Sequence, residues 1–184
     1  VKWNYIPVAA ALAAVVLSAS PAGAFDYNLS VDEISASPLT AYNTVYLGMP
    51  RSDFDANFSV LSDWTFYGNT MEKTERAERS VTVKGITVTE GVGILTTGTT
   101  GDAKVLAFDN YFKTTDKRTA KAISTRLVAT VYSNMESFPA SQNSTAVTWV
   151  QDDVTIVCYY DGKKEADGTY RVYIRRYNNN RLQA

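Results

Sequence analysis

The sequence predicts an α+β domain, with one antiparallel sheet or two related sheets packed against two main helices. Three observations predict it. Strand-length runs rich in β-branched and aromatic residues fill residues 81–112 and 145–177, joined by short connections that contain Gly or Asp. Two further stretches, near residues 50–61 and 115–138, carry apolar side chains at spacings of three and four. The resulting order is helix, strands, helix, strands. It points to an internal duplication of about 70 residues, although no residue-for-residue match links the halves.

The chain opens with Lys2, an apolar run from Ile6 to Leu17 and a small-residue exit ending at Ala24. This is the grammar of a secretory signal peptide, with Ala22 and Ala24 at the small positions before the cut. The run is too short for a spanning helix, which needs about 20 apolar residues. No cysteine stands at the exit to accept a lipid. We expect residues 1–24 to be removed and Phe25 to begin a periplasmic or secreted protein with no stable membrane insertion. Val1 in place of an initiator Met fits a bacterial gene read from a GTG start. Residues 25–44 show no sustained period and are expected to form an extended N-terminal arm, leaving 45–184 as a single α+β domain.

Within that domain, Gly48 and Pro50 punctuate a helix start, Asp53 and Asp55 suit its first turn, and Phe54, Phe58 and Leu61 share one face. Trp64 to Tyr67 reads as a first strand. Glu72 to Arg79 is charged, either as helical pairs at four-residue spacing or as the solvated part of a long strand, and is expected to be an exposed charged edge. Val81-Thr82-Val83 and Ile86-Thr87-Val88 alternate but change parity across Lys84-Gly85, which requires a bulge or turn. The Thr/Gly tract from Thr96 to Asp102 reads as a hairpin turn before a strand at Val105 to Phe112. It lacks the Gly-Lys-Ser/Thr ending of a phosphate loop.

Thr114 to Asp116 supply capping oxygens for the second helix, whose stripe comprises Ala120, Ile123, Leu127, Val131, Met135 and Phe138. Pro139 ends it, and Ala140 to Ser144 is expected to be a polar loop. Strands follow at Thr145–Val150, Val154–Tyr160 and Tyr170–Tyr177, separated by Asp152-Asp153 and by the turn-rich segment Asp161 to Gly168.

Composition excludes several function classes. The formal net charge is −1, and removal of residues 1–24 takes away one basic residue and no acidic one, so neither nucleic acid nor an anionic membrane is favoured. There is no histidine, which rules out serine–histidine and cysteine–histidine mechanisms. Cys158 is the single cysteine, so no intramolecular disulfide can form, and its strand context reads as a buried, structural thiol. No calcium-loop pattern or Cys/His cluster appears, and no cofactor is implied. The enzymatic route that remains is a carboxylate pair, Asp152 with Asp153 or Asp161 with Asp167, in a hydrolase acting on envelope polymers. Asp-Gly and Asp-Asp turns, however, need such residues for the backbone.

The most suggestive surface is Arg171, Tyr173, Arg175 and Tyr177 on one face of the last strand, opposite Tyr170, Val172 and Ile174. Arginine stacked with tyrosine can hold a planar or anionic ligand, a glycan or a partner's carboxylates, and the same pattern can also serve as an ordinary solvent face. Tyrosine accounts for 12 residues, which favours recognition over catalysis. These four side chains are the candidate ligand-binding residues, for a protein or cell-wall partner.

At Tyr46-Leu47-Gly48-Met49-Pro50-Arg51-Ser52-Asp53-Phe54 the chain resembles the start of small exported α+β domains of the beta-lactamase-inhibitor-like type, a group that includes small outer-membrane assembly lipoproteins. The resemblance implies a fold and a habit of protein binding. This chain lacks the lipoproteins' cysteine, has one cysteine where the secreted inhibitors use disulfides, and places several strands between its helices, so neither group's function carries over.

Overall fold

Two antiparallel meanders meet at the middle of one open, eight-stranded sheet. The computed structural model describes residues 30–31, 33–34, 37–83 and 85–180; the expected signal peptide and its cut site lie outside them. Helix α1 (Arg51–Ser59) precedes β1 (Thr65–Tyr67), β2 (Thr74–Val83), β3 (Ile86–Thr96) and β4 (Val105–Thr114). Helix α2 (Lys117–Met135) precedes β5 (Ser141–Gln142), β6 (Ala146–Gln151), β7 (Val154–Tyr159) and β8 (Tyr170–Asn178). The spatial order is β1-β2-β3-β4-β8-β7-β6-β5, antiparallel throughout, so β4 and β8 are central neighbours. The α+β expectation holds with a single sheet.

The parity change at Lys84-Gly85 is resolved as a turn: Val83 pairs with Ile86, and Gly85 supplies the positive φ of 79° that a two-residue hairpin needs. Asp152 adopts φ 52° in the corresponding β6–β7 turn, a conformation its short polar side chain tolerates. Helix α1 starts after Pro50, whose fixed φ suits that boundary. Helix α2 is capped by Asp116, which accepts hydrogen bonds from the Thr119 amide (2.8 Å) and hydroxyl (2.6 Å), and closes at Glu136 in the left-handed region.

Both helices cover the same face of the sheet. Phe54 and Phe58 of α1 pack with Ala77, Val92, Ile94, Val105 and Phe108. Ala120, Ile123, Leu127 and Val131 of α2 pack with Phe112, Trp149, Ile156, Cys158, Val172 and Ile174. Each fully buried Val, Leu or Ile among them contributes roughly 1.5–3 kcal/mol. Cys158 is buried as expected, and burial pushes its thiol pKa up to about 12.

Several local expectations are corrected. Leu61 and Phe138 lie beyond the helices and are exposed, Phe138 resting edge-on against Tyr132. Part of the expected polar loop, Ser141-Gln142, pairs with β6 as a short edge strand. The charged stretch 72–79 is not simply an exposed edge, because alternate residues of β2 turn inward: Glu75 is buried and meets Arg51 at 2.6 Å. Arg51 also donates to the carbonyls of Asn69, Glu72 (2.8 Å) and Gly98 (3.3 Å), tying the β1–β2 and β3–β4 loops to α1.

The described part of the N-terminal arm is not extended. Ser30, Val31, Glu33 and Ile34 have helical backbone, and Val31, Ile34 and Ala41 are wholly buried in the cores. Two buried polar groups of the sheet hold this segment. Glu90 accepts from the hydroxyls of Ser30 (2.7 Å) and Tyr42 and from Arg79 Nε (2.8 Å). Arg176, fully buried on β8, donates to the Pro38 carbonyl (2.8 Å), those of Ile34 and Thr40 (3.4 Å each) and Asn110 Oδ1 (2.6 Å), with its guanidinium over Phe108. Desolvation lowers its pKa to about 10, which leaves it cationic at neutral pH.

Candidate functional site

The face opposite the helices is organised by strand register. Strand alternation aims Ala107, Asp109, Tyr111 and Lys113 of β4 to the same side as their cross-strand partners Tyr177, Arg175, Tyr173 and Arg171 of β8. One rung across the sheet runs Thr65, Glu78, Gly91, Tyr111, Tyr173, Tyr159. The next runs Tyr67, Arg76, Gly93, Asp109, Arg175, Val157. The four residues singled out from the sequence therefore do share one face, and β4 adds Asp109, Tyr111 and Lys113 to them.

The glycines of β3 shape this surface. A Cβ on Gly91 would lie 2.1 Å from Cζ of Tyr111, so the absent side chain is what lets that ring lie down across β3. The Tyr111 hydroxyl then donates to Glu78 Oε1 (2.6 Å) on β2. Burial, followed by this bond and the Glu78 charge, raises the Tyr111 pKa and keeps it a donor. Gly93 leaves the adjacent floor low. An open groove of ≈ 900 Å³ with Gly93 on its floor runs from Tyr67 and Arg76 to Arg171 and Tyr177.

The charged side chains of the face are engaged unequally. Arg175 grips Asp109 with two bonds, Nε to Oδ1 and Nη2 to Oδ2, both 2.7 Å. The Asp109 bond raises the Arg175 pKa. Lys113 donates to Asp167 (3.1 Å) beyond the groove end, and Arg76 lies over the Tyr67 ring with Glu78 at 3.5 Å. Tyr173 stacks on Tyr159, ring centroids 5.0 Å apart. Arg171 sits over Tyr111 (4.6 Å) and Tyr173 (5.5 Å), and its nearest carboxylate oxygen, Asp109 Oδ2, is 3.7 Å away. Its Nε is shut off from water and makes no hydrogen bond among the described residues.

The carboxylates considered for hydrolysis occupy turns. Asp152 and Asp153 form the β6–β7 turn, with Asp153 accepting from Asn178 (3.0 Å). Asp161 accepts from the Lys163 amide (2.9 Å), and Asp167 from the Thr169 amide (3.0 Å) and hydroxyl (2.6 Å). The Thr169 bonds, with Lys113, lower the Asp167 pKa to about 2.

A carboxyl pair that sequence reasoning missed lies under α1. Among the described residues Asp55 Oδ1 and Glu75 Oε2 are each buried without another partner, while Glu75 Oε1 takes Arg51 and the Asn69 amide. A proton shared between the two carboxyls accounts for both oxygens. Burial, then the bond to Glu75 and its charge, raises the Asp55 pKa to about 7, and Glu75 shifts down.

Among the described residues no group of three or more His, Cys, Asp or Glu side chains could hold a metal ion, and no helix is long and apolar enough to cross a membrane. No family model, curated protein or solved structure significantly matches the chain.

The missed residues of the open face did leave a trace. Asp109, Tyr111 and Lys113 repeat at a spacing of two along their strand, as Arg171, Tyr173 and Arg175 do, and Gly91 and Gly93 share that spacing. What no local pattern contains is that β4 and β8, 66 residues apart at Asp109 and Arg175, lie side by side.

Proposed function

We propose that this chain is an exported, non-enzymatic binding protein that captures a protein or cell-wall partner on the open face of its sheet. The observation that carries this reading is that both helices pack on one side and leave the other with a tyrosine–arginine cluster bordering a ≈ 900 Å³ groove. Aromatic and arginine side chains on a rigid scaffold are what binding surfaces concentrate, because they offer large contact areas with few rotors to immobilise. The signal-like opening supports export. The repeated order of one helix and four strands supports an origin by duplication.

The test is affinity capture from bacterial envelope extracts with the exported protein, whose first residue is read by mass spectrometry and expected to be Phe25. The comparison variant carries Arg171→Ala, Tyr173→Ala and Tyr177→Ala, which spare the Arg175–Asp109 pair. Loss of capture with an unchanged unfolding midpoint supports the reading. Capture that survives the triple substitution, or envelope-polymer cleavage abolished by Asp→Asn changes, overturns it.

A further inference from the structure

Of the cations on the open face, Arg171 is held over two tyrosine rings while its fork makes no hydrogen bond to a carboxylate among the described residues. Arg175 has both edges of its fork on Asp109, Lys113 reaches Asp167, and Arg76 turns its guanidinium toward Tyr67 and Glu78. Arg171 is held by Tyr111 and Tyr173, lies beyond hydrogen-bond distance of Asp109, and has an Nε removed from water with no acceptor among the described residues. Its side chain is 30% exposed, and the terminal nitrogens of its fork, which make no hydrogen bond among the described residues, can give an incoming carboxylate charge-assisted bonds. We propose that Arg171 is the seat for an acidic side chain, Asp or Glu, of a protein partner lying in the groove. This rests on the binding reading above.

The rings decide between a protein and a glycan. A sugar stacks on an exposed aromatic face, whereas the Tyr111 ring is flanked by Gly91 and Arg171, and that of Tyr173 by Tyr159 and two arginines. Tyr111 and Tyr173 orient a cation instead of offering a platform. The groove beside them, with Gly93 on its floor, has room for a peptide segment that carries the acid. The seat is also selective in charge, because Glu78 and Asp109 border Arg171's neighbourhood and oppose dense polyanions.

The experiment selects a phage-displayed random peptide library on the immobilised full-length exported protein. Selected peptides are then synthesised with their acidic residues intact or changed to the amides, and titrated against wild type, Arg171→Gln, Arg171→Lys and Tyr177→Ala. The expected result is binding that needs one acidic residue and weakens roughly ten- to hundredfold on Arg171→Gln, with partial recovery in Arg171→Lys, whose point charge lacks the fork. Peptides that respond to Tyr177→Ala but neither to Arg171→Gln nor to amidation refute the carboxylate seat and leave the binding face standing. Peptides indifferent to all three variants, or none selected, remove both. Displacement by polygalacturonate or inorganic phosphate as effectively as by the acidic peptide means general anion binding and overturns the proposal.

Discussion

Gly91→Ala tests whether the open face is built on an absent side chain. The new Cβ falls 2.1, 2.3 and 2.5 Å from Cζ, Cε2 and the hydroxyl oxygen of Tyr111, distances no packing tolerates, so the ring must leave. Its departure breaks the 2.6 Å bond to Glu78 and uncovers a ring that is now only 3% exposed. A charge-assisted hydrogen bond and partial loss of aromatic burial together predict a destabilisation of about 2–4 kcal/mol. Without the ring the same substitution should be harmless, since Ala loses less backbone freedom than Gly in a strand, a gain of about 0.5–1 kcal/mol. Urea unfolding of wild type, G91A, Y111A and the double variant closes the cycle. We expect the double variant to be at least as stable as Y111A, giving a coupling of about 2 kcal/mol or more. Additivity within about 0.5 kcal/mol would show that Tyr111 does not lie across Gly91.

Three further predictions concern the interior. Arg176→Met should cost about 2–4 kcal/mol, because Asn110 Oδ1 and the Pro38 carbonyl lose their donor, and should raise hydrogen exchange or proteolysis around residues 34–40; unchanged exchange there would refute the tie. Asp55, with a folded pKa of about 7 against an ordinary 3.8, holds a proton in the folded state that the unfolded chain releases, so its contribution to stability is full below about pH 4 and is lost as pH rises through 7. Asp55→Asn should flatten the unfolding midpoint across that window, and an identical pH slope in the variant would exclude the shared proton. Cys158, buried and with its thiol pushed up to about 12, should resist a thiol reagent at pH 8 until the protein unfolds; stoichiometric labelling of the native state would contradict its burial.

The helical stripes and strand runs were legible because each is a local period: Phe54 with Phe58, or Ile123, Leu127 and Val131, announce a buried face within a dozen residues. The errors lie where a long-range partner overrides local polarity. Glu75 looks solvated in a charged run and is buried because Arg51 meets it from α1. The segment 30–44 looks aperiodic, yet its described residues are held to the sheet because Arg176 and Glu90 supply a donor and an acceptor to their backbone carbonyls and hydroxyls. Phe138 extends the helical period past Glu136, whose left-handed conformation turns the chain before the phenylalanine can reach the core.

The sequence by itself determined the α+β class, the buried character of Cys158, the absence of histidine chemistry and the common face of Arg171, Tyr173, Arg175 and Tyr177, because composition and alternation are properties of the chain alone. Only the tertiary structure decided that β8 closes against β4 instead of ending a separate sheet. That pairing brings Asp109 to Arg175 and leaves Arg171 over two tyrosines with no hydrogen bond to a carboxylate among the described residues, so two arginines that look alike in sequence differ in what they can bind. The physical reason is that a guanidinium's availability depends on which carboxylates its neighbours bring within about 3 Å, and those neighbours are chosen by strand order.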